Sequence, residues 1–192
     1  MQNETIAIHA GYNKKEGNGS MAVPITQTTA YAFRDSEHAA NLFALKELGP
    51  IYTRLTNPTT DVLEQRFAAL EGGAAAICVA SGQSAIFYAV ANVAEAGDNI
   101  LISDKLYGGA VTLLSHTMKR FGITTKVFRS EDASNLEEQI DGKTKAIFFE
   151  SLSNPQIAIT DVERVVEIAK RHGVLTICDN TVASAALFNP IK

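Results

Sequence analysis

The sequence predicts an α/β fold with a mostly parallel sheet and helices on both faces. Three observations support this. From Ala74 onward, short apolar segments rich in β-branched residues alternate with amphipathic helical patterns. Strand and helix alternate in this way five times, which is typical of right-handed βαβ units. Several of the apolar segments also end in polar or glycine-containing loops, where open α/β sheets bind their ligands.

Composition narrows the class of protein. The chain has 192 residues, of which 46% are hydrophobic and 20% are charged, as expected of a soluble globular domain. A net charge of −4 gives no reason to expect nucleic acid or an anionic membrane as a partner. No apolar run could span a bilayer, and the polar start Met-Gln-Asn-Glu-Thr is unlike a secretory signal. The expected location is the cytoplasm.

Cysteine and histidine give no sign of a metal centre. Cys78 and Cys178 form no CxxC pair, and both fall in predicted strands as small buried apolar residues. The four histidines show no metal-ligand spacing. We therefore expect neither a metal site nor a disulfide.

Residues 1–60 differ from the rest of the chain and form the first predicted segment. A loop by composition and an irregular extended stretch with one proline come first. A helix is predicted from Ser36, as its N-cap, to residue 48, and another from about residue 60 to residue 70. Residues 61–192 are the second predicted segment, which contains the sheet.

The regular part of the chain contains five predicted strands and four predicted helices. Asp161 is the expected N-cap of the last helix, and Gly122 and Gly173 are expected to end the second and the last. The strands are predicted at 75–80, 99–103, 123–128, 145–150 and 174–178, and the helices at 83–94, 110–121, 134–140 and 161–172.

The strand at 174–178 is followed by Asp179, Asn180 and Thr181. A carboxylate at the carboxyl end of a buried strand lies where α/β sheets bind ligands. Taken alone, Asp-Asn after a strand is more often a turn that leaves the sheet.

The segment Ser81-Gly-Gln-Ser-Ala85 joins a predicted strand to a helix. The N–H groups of Gly82 and Gln83 could bind phosphate with help from the helix dipole, although an ordinary βα turn is the simpler interpretation. A dinucleotide fingerprint would need more glycines here. Asp104 lies 22 residues after Gly82, so a nucleotide site remains an alternative.

Four further side chains are candidates for a flat, phosphorylated ligand. Tyr107 precedes two glycines and could stack on a ring, or it could simply pack a loop onto the core. Asn154 could donate its amide to a phenolate-like oxygen, or it could build a turn with the following proline. Tyr52 and Arg54 would point the same way in an extended chain, and an arginine suits phosphate, although a surface arginine is the simpler interpretation.

Taken together, these segments closely resemble the enzymes of cysteine and methionine metabolism that use pyridoxal 5'-phosphate (PLP), the cystathionine γ-synthase-like family. The resemblance covers essentially the whole chain. Residues 5–11 and 38–43 look most like its O-acetylhomoserine sulfhydrylase branch. The motifs are Ile51-Tyr-Thr-Arg, Asn57-Pro-Thr-Thr, Leu70-Glu-Gly-Gly, Ser81-Gly-Gln-Ser-Ala, Leu106-Tyr-Gly-Gly, Glu150-Ser-Leu-Ser-Asn-Pro and Cys178-Asp-Asn-Thr.

The resemblance implies a fold and a set of roles. The fold would be the large domain of the aspartate-aminotransferase-like (fold type I) enzymes, present here in part. Asp179 would pair with the protonated pyridine nitrogen of PLP, a role that suits a carboxylate because a cationic ring accepts electrons. Tyr107, the catalytic candidate, would stack on the ring, and Asn154 would reach the ring oxygen, with Thr181 nearby.

The phosphate and the subunit contacts follow from the same resemblance. Ser81, Gly82 and Gln83 would hold the phosphate, and glutamine at 83 favours the sulfhydrylase branch over the lyases. Tyr52 and Arg54 would bind the phosphate of the neighbouring subunit, with residues 1–60 contacting that subunit. The active site would then require at least a dimer, and the whole enzyme would be a homotetramer built as a dimer of dimers.

The activity implied by the resemblance is that of a transferase in methionine biosynthesis and transsulfuration. O-acetylhomoserine and sulfide would give homocysteine and acetate by γ-replacement. The alternatives are a cystathionine γ-synthase, a γ-lyase of the same family, or a catalytically silent module that binds the cofactor or a nucleotide. A comparison of sulfide with cysteine as the nucleophile would distinguish the enzymes from one another. Titration with PLP and with a nucleotide would distinguish the silent module.

The chain departs from the family pattern at one point. The Schiff-base lysine of the family follows the strand that carries the aspartate, in a Ser-x-Thr-Lys pattern, and the sequence ends at Lys192 before reaching it. Lys145 opens a predicted strand, so it belongs at the opposite edge of the sheet, and Lys192 lies in a loop. We therefore expect an N-terminal part of a longer enzyme, without the C-terminal domain and inactive alone.

Overall fold

The computed structural model describes residues 2–15 and 18–192. The chain folds into two compact units. The first runs to Cys78 and includes Ile191 and Lys192, and the second is Val79–Pro190. This division comes later than the boundary expected after residue 60, because the helix that begins at Pro58 belongs to the first unit. The expected subunit contact of residues 1–60 stays a prediction.

The described residues of the first unit form three helices: α1 (Asn3–His9), α2 (Ser36–Phe43) and α3 (Pro58–Glu71). Helix α1, which the sequence did not predict, packs against α3. The Arg66 guanidinium donates from Nε to the Ala10 carbonyl at 2.9 Å. Gly11 has a positive φ of 77°, and a Cβ there would lie 2.6 Å from the Val62 carbonyl oxygen. The chain can therefore pass this close to α3 only with glycine at position 11.

The ends of α2 and α3 have local causes. The N-cap of α2 is Asp35, not the predicted Ser36, because the Asp35 carboxylate accepts the His38 N–H at 2.7 Å. The helix also ends at Phe43 rather than residue 48, and Leu45 beyond it is left-handed, with φ 55°. Helix α3 has Asn57 as its N-cap and a left-handed Gly72 at its end.

The second unit is built on a four-stranded sheet. The strands are β1 (Asn99–Ser103), β2 (Thr124–Phe128), β3 (Thr144–Glu150) and β4 (Leu175–Asp179). Their order is β2-β1-β3-β4, and each neighbouring pair is parallel. The predicted parallel α/β architecture is therefore confirmed. It brings the carboxyl ends of all four strands to one edge.

The helices of the second unit are α4 (Gly82–Ala91), α5 (Gly108–Thr112), α6 (Leu136–Gln139), α7 (Val162–His172) and α8 (Ser184–Leu187). Helix α5 continues through a π-helical turn at Leu113–Thr117 and a 3-10 turn at Met118–Phe121. Gly122 and Gly173 end their helices in left-handed conformations, as predicted. Asp161 caps α7 by accepting the Arg164 N–H at 3.0 Å, which confirms its predicted role.

Helices cover both faces of the sheet. Alternate residues of β1 point to opposite faces, as the period of a strand requires. Ile100 and Ile102 pack with Val90 of α4, whereas Leu101 packs with Val165 and Ile168 of α7. The core of this unit therefore lies in two layers, one on each side of the sheet. Helix α4 covers one side and helix α7 covers the other.

The strand predicted at 75–80 is absent, so the prediction was wrong for this segment. An extended segment becomes a strand only when a neighbour pairs with its backbone, and no described strand pairs with residues 75–80. Ile77 is 85% exposed, and the Cys78 N–H donates to the Glu64 carboxylate at 2.7 Å instead. Cys78 therefore does not lie in a strand, while Cys178 does.

Candidate cofactor site

A cavity of about 440 Å³ lies at the carboxyl edge of the sheet. Strands β3 and β4 end at its wall with Glu150 and Asp179, and the loop after β1 reaches it with Tyr107. The volume is within the usual range for small-molecule sites. The lining residues are Ser81, Gly82, Gln83, Ile86, Tyr107, Glu150, Leu152, Asn154, Asp179, Thr181 and Val182.

The carboxylate of Asp179 is oriented by the residue two positions further on. Its Oδ1 accepts the Thr181 N–H at 3.0 Å and also the Thr181 hydroxyl. Within the described residues, its Oδ2 accepts no hydrogen bond. One oxygen is therefore held by the turn, while the other is available to a hydrogen-bond donor or a cation in the cavity.

The start of α4 forms another part of the wall. Ser81 caps the helix, with its hydroxyl accepting the Ser84 N–H at 3.1 Å. The main-chain N–H groups of Gly82 and Gln83 bond to no other described residue. Free N–H groups at a helix start, reinforced by the helix dipole, attract anions such as phosphate.

The ring of Tyr107 lies against the glycine that follows it by two positions. A Cβ added at Gly109 would lie 2.6 Å from Cε1 of Tyr107 and 3.1 Å from Nε2 of Gln83. The tyrosine side chain remains about half exposed, at 51%. The absence of a side chain at position 109 therefore lets the Tyr107 ring and the Gln83 amide approach the same backbone.

A buried carboxylate joins two of the loops. Glu150 is 4% exposed, and its Oε1 accepts the Tyr107 N–H at 2.7 Å. Its Oε2 accepts the Asn154 N–H at 3.0 Å. Residue 154 also begins a cis peptide bond with Pro155.

The turn after β4 is held by a short chain of hydrogen bonds. The Ser151 hydroxyl donates to Asn180 Oδ1 at 2.6 Å, and Asn180 Nδ2 donates to the Phe188 carbonyl at 2.8 Å. The Ser151 N–H also donates to the Asp179 carbonyl at 3.0 Å. The backbone around Asp179 is thus tied both to β3 and to the segment after α8.

All seven cofactor candidates of the second unit line this cavity. They are Ser81, Gly82, Gln83, Tyr107, Asn154, Asp179 and Thr181. Sequence reasoning gave no role to Glu150, Ser151 or Asn180. Glu150 was detectable, because it ends an apolar strand with a carboxylate just as Asp179 does. Strand β3 is buried, whereas β4, which the sequence predicted to be buried, is exposed or half-buried along its length. The apolar lining residues Ile86, Leu152 and Val182 carry no comparable local signal.

Tyr52 and Arg54 are not among the lining residues. Both belong to the first unit and both are exposed. The Arg54 guanidinium carbon lies 5.4 Å from the centroid of the Tyr52 ring, within reach of a cation–π interaction. The two side chains therefore lie near each other, although residues 53–55 form a turn and not the extended chain that the sequence predicted. Their predicted contact with a neighbouring subunit's phosphate stays a prediction.

Asp104 and Lys145 have roles away from the cavity. Oδ1 of Asp104 accepts both the N–H and the hydroxyl of Ser130, at 3.0 and 2.9 Å, and Asp104 is not among the residues that line the cavity. Lys145 lies near the amino end of β3, with its Nζ 3.7 Å from Asp98 Oδ1. It is therefore at the opposite edge of the sheet, as the sequence predicted.

The first unit has a cavity of its own, of about 640 Å³. Its wall consists of loop residues and the start of α3, including Tyr12, Pro24 and Asp61. No strand end points into it, and none of the cofactor candidates lines it. Although it is larger, it is lined by one carboxylate, that of Asp61, whereas both Glu150 and Asp179 line the cavity at the sheet edge.

Across residues 2–15 and 18–192, no helix combines the length and the apolar character needed to cross a membrane. In the same ranges, no three His, Cys, Asp or Glu side chains cluster as a metal site would require.

Comparison with known proteins identifies the class. The profile of the family "Cys/Met metabolism PLP-dependent enzyme" matches residues 4–192. The O-acetyl-L-homoserine sulfhydrylase of Leptospira meyeri is 48% identical over 189 residues, which are 98% of this chain and 43% of that protein. The homocysteine synthase of Schizosaccharomyces pombe is also 48% identical over 189 residues, which are 98% of this chain and 44% of that protein.

Solved structures agree with the sequence relatives. A candidate O-acetylhomoserine (thiol)-lyase from Campylobacter jejuni, which carries a pyridoxyl-lysine phosphate, superposes with a TM-score of 0.95 at 55% identity, over 99% of this chain and 47% of that one. The cystathionine γ-lyase of Lactobacillus plantarum, complexed with L-serine, gives a TM-score of 0.89 at 32% identity, over 100% and 48%.

The fold and the site define a PLP-dependent enzyme of fold type I. More particularly, the chain belongs to the family of PLP-dependent enzymes of cysteine and methionine metabolism. It spans less than half the length of the relatives it matches. The cavity fits the cofactor of this family chemically: it offers free N–H groups for a phosphate, an oriented carboxylate for a ring cation and an aromatic ring to stack.

Proposed function

We propose that this chain is the cofactor-holding part of an O-acetylhomoserine sulfhydrylase. The whole protein would convert O-acetylhomoserine and sulfide to homocysteine and acetate, a transferase reaction that supplies methionine biosynthesis and transsulfuration. The observation that carries the proposal is the convergence of seven candidate residues on one cavity at the sheet edge. The names of the relatives with 48% identity support the choice of substrate.

The residues of the chain would divide the work by chemical type. PLP, when bound, supplies an electron-accepting ring that stabilises negative charge on the substrate carbon next to its nitrogen. Asp179 Oδ2 would hold a proton on the pyridine nitrogen, while Thr181 keeps the carboxylate turned toward the cavity. Tyr107 would cover one face of the ring, and the Asn154 amide would donate to the ring oxygen.

The phosphate would bind at the start of α4. Gly82 and Gln83 would donate their main-chain N–H groups, and the Ser81 cap leaves both of them free for this. The apolar side chains of Ile86, Leu152 and Val182 would limit the water in the cavity. Exclusion of water strengthens each of these electrostatic contacts.

The reactive lysine would come from outside these 192 residues. No lysine of the described residues lines the cavity, and Lys145 lies at the opposite edge of the sheet. The related Campylobacter jejuni structure carries its pyridoxyl group on a lysine. The 192-residue chain alone would therefore bind PLP without turnover.

Assembly and location complete the proposal. Tyr52 and Arg54 would reach the phosphate bound by a neighbouring subunit, with residues 1–60 contacting that subunit. The whole protein would then be a homotetramer in the cytoplasm, built from dimers that share their active sites. Arg54→Ala should weaken PLP binding only in the assembled protein.

The first test is the intact mass of the purified protein followed by an assay. A mass near 20.6 kDa corresponds to these residues alone, and that sample should bind PLP without forming homocysteine. The whole protein should form homocysteine from O-acetylhomoserine and sulfide.

A cystathionine γ-synthase would instead prefer cysteine as nucleophile, and a γ-lyase would need no nucleophile. Tight nucleotide binding without PLP binding would overturn the proposal.

A further inference from the structure

The carboxylate of Glu150 links two loops that carry proposed ligand contacts. Its oxygens accept main-chain N–H groups 43 and 4 residues away along the chain, from Tyr107 and Asn154. Both of these residues line the cavity at the sheet edge. One buried side chain therefore connects the loop after β1 to the loop after β3.

Glu150 is a buried carboxylate whose hydrogen-bond donors are main-chain N–H groups of two loops. A buried carboxylate is costly unless its charge is compensated. Glu150 takes part in none of the ion pairs among the described residues, and both of its side-chain hydrogen bonds come from main-chain N–H groups. Hydrogen bonds to a charged acceptor are shorter and stronger than neutral ones. The carboxylate thus supplies two strong acceptors that point to different loops.

Other main-chain hydrogen bonds hold the loop after β3, as between Ser153 and Ala158. The main-chain N–H groups of Tyr107 and Asn154, however, bond to Glu150 alone among the described residues. The Tyr107 side chain is 51% exposed, and two glycines follow it, so its position depends mainly on its backbone. The Asn154 side chain is also exposed. Holding both backbones before a ligand arrives reduces the ordering that binding would otherwise require.

We infer that Glu150 is a positioning residue that sets the separation between the Tyr107 ring and the Asn154 amide across the cavity. It does so through the main chain of the two loops and not by contact with the cofactor ring. The inference rests on the proposed function, in which these two side chains meet opposite parts of PLP.

The test is Glu150→Gln in the whole protein, with two measurements. The substitution keeps the shape but replaces one acceptor oxygen with an NH₂ group, which would face an N–H donor. Without cofactor, amide hydrogen exchange should become at least about tenfold faster at Tyr107 or Asn154, while Leu101 in β1 stays unchanged. With cofactor, PLP affinity should fall at least about tenfold, and the absorption band of bound PLP should shift.

Two control variants separate positioning from general stability. Glu138→Gln makes the same chemical change at an exposed position and should alter neither measurement. Ile147→Val removes a methylene from the buried face of β3 without touching either loop. It should lower stability but leave the absorption band and PLP affinity as they are. If Ile147→Val weakens PLP binding as much as Glu150→Gln at equal stability, the inference is wrong.

The remaining outcomes distinguish a failure of the proposed function from a failure of the positioning role. If the unmodified protein does not bind PLP, the proposed function fails, and the exchange measurement still tests the link between the loops. If it binds PLP and Glu150→Gln binds equally well with the same absorption band, the positioning role fails. If that variant does not fold, Glu150→Asp, which shortens the side chain, replaces it with the same expected losses. Unprotected Tyr107 and Asn154 amides in the unmodified protein would overturn the inference outright.

Discussion

Glu150 and Asp179 are register partners at the carboxyl ends of two adjacent parallel strands, β3 and β4. The two carboxylates have different surroundings. Glu150 is buried and both of its oxygens accept main-chain N–H groups, whereas Asp179 is partly exposed and one of its oxygens accepts no hydrogen bond from the described residues. We therefore propose a supporting role for Glu150 and a ligand contact for Asp179, although both are carboxylates at equivalent strand ends.

The first prediction concerns Asp179→Asn. An asparagine would still accept the Thr181 hydrogen bonds through Oδ1, so the turn should remain intact. The charge that we propose to face the pyridinium nitrogen would be lost, and such a contact is worth up to about 4 kcal/mol at ~4 Å with an effective dielectric near 20, before desolvation is subtracted. We expect turnover of the whole protein to fall by about a hundredfold or more. Steady-state kinetics and PLP titration would measure this.

Asp132→Asn is the control for this prediction, because it removes a carboxylate from an exposed loop of the same unit. It should leave turnover and PLP affinity unchanged. Equal activity of Asp179→Asn and the unmodified protein would contradict the assigned role.

The second prediction concerns adjacent glycines. Gly109→Ala would place a Cβ 2.6 Å from the Tyr107 ring, so the ring must move, whereas a Cβ at Gly108 meets nothing within 4 Å. We therefore expect weaker PLP binding for Gly109→Ala and little change for Gly108→Ala. Titration of both variants by PLP fluorescence would decide, and equal affinities would show that the tyrosine ring position is unimportant.

The third prediction compares the two glycines that end helices. Gly122 and Gly173 both have left-handed backbones, so alanine at either position is strained by about 1 kcal/mol. A Cβ at Gly122 would also lie 2.8 Å from the Ala96 Cβ, whereas one at Gly173 meets nothing within 4 Å. Gly122→Ala should therefore lower the free energy of unfolding more than Gly173→Ala. Urea unfolding of the two variants would test the order, which a reversed ranking would refute.

The fourth prediction concerns stability in acid. The Lys126 ammonium, at 2.6 Å, and the Asn99 amide, at 2.9 Å, help to hold the pKa of Asp141 below its ordinary value of 3.8. A lowered folded pKa means that this stabilisation is complete above pH 3.8 and is lost as pH falls further. The difference in unfolding free energy between the unmodified protein and Asp141→Asn should therefore shrink between pH 6 and pH 2. Denaturant unfolding at several pH values would reveal it, and a constant difference would exclude this contribution.

Local signals predicted much of the fold. Alternating apolar segments located all four strands of the sheet to within a residue or two. Asp161, Gly122 and Gly173 marked helix ends correctly, because capping and left-handed turns depend on a few neighbouring residues. The same local reasoning failed at residues 75–80, where an extended composition alone does not supply a neighbouring strand.

What the sequence determined by itself is the kind of fold and the residue types that stand in its loops: a carboxylate, a tyrosine beside glycines, an asparagine and a capped helix start. Only the tertiary structure decided which of them meet. The strand order β2-β1-β3-β4 places β1 beside β3, so Tyr107 can bond to Glu150 although 43 residues separate them. The physical reason is range: caps and turns act within a few residues, whereas strand order and burial are set by packing of the whole unit.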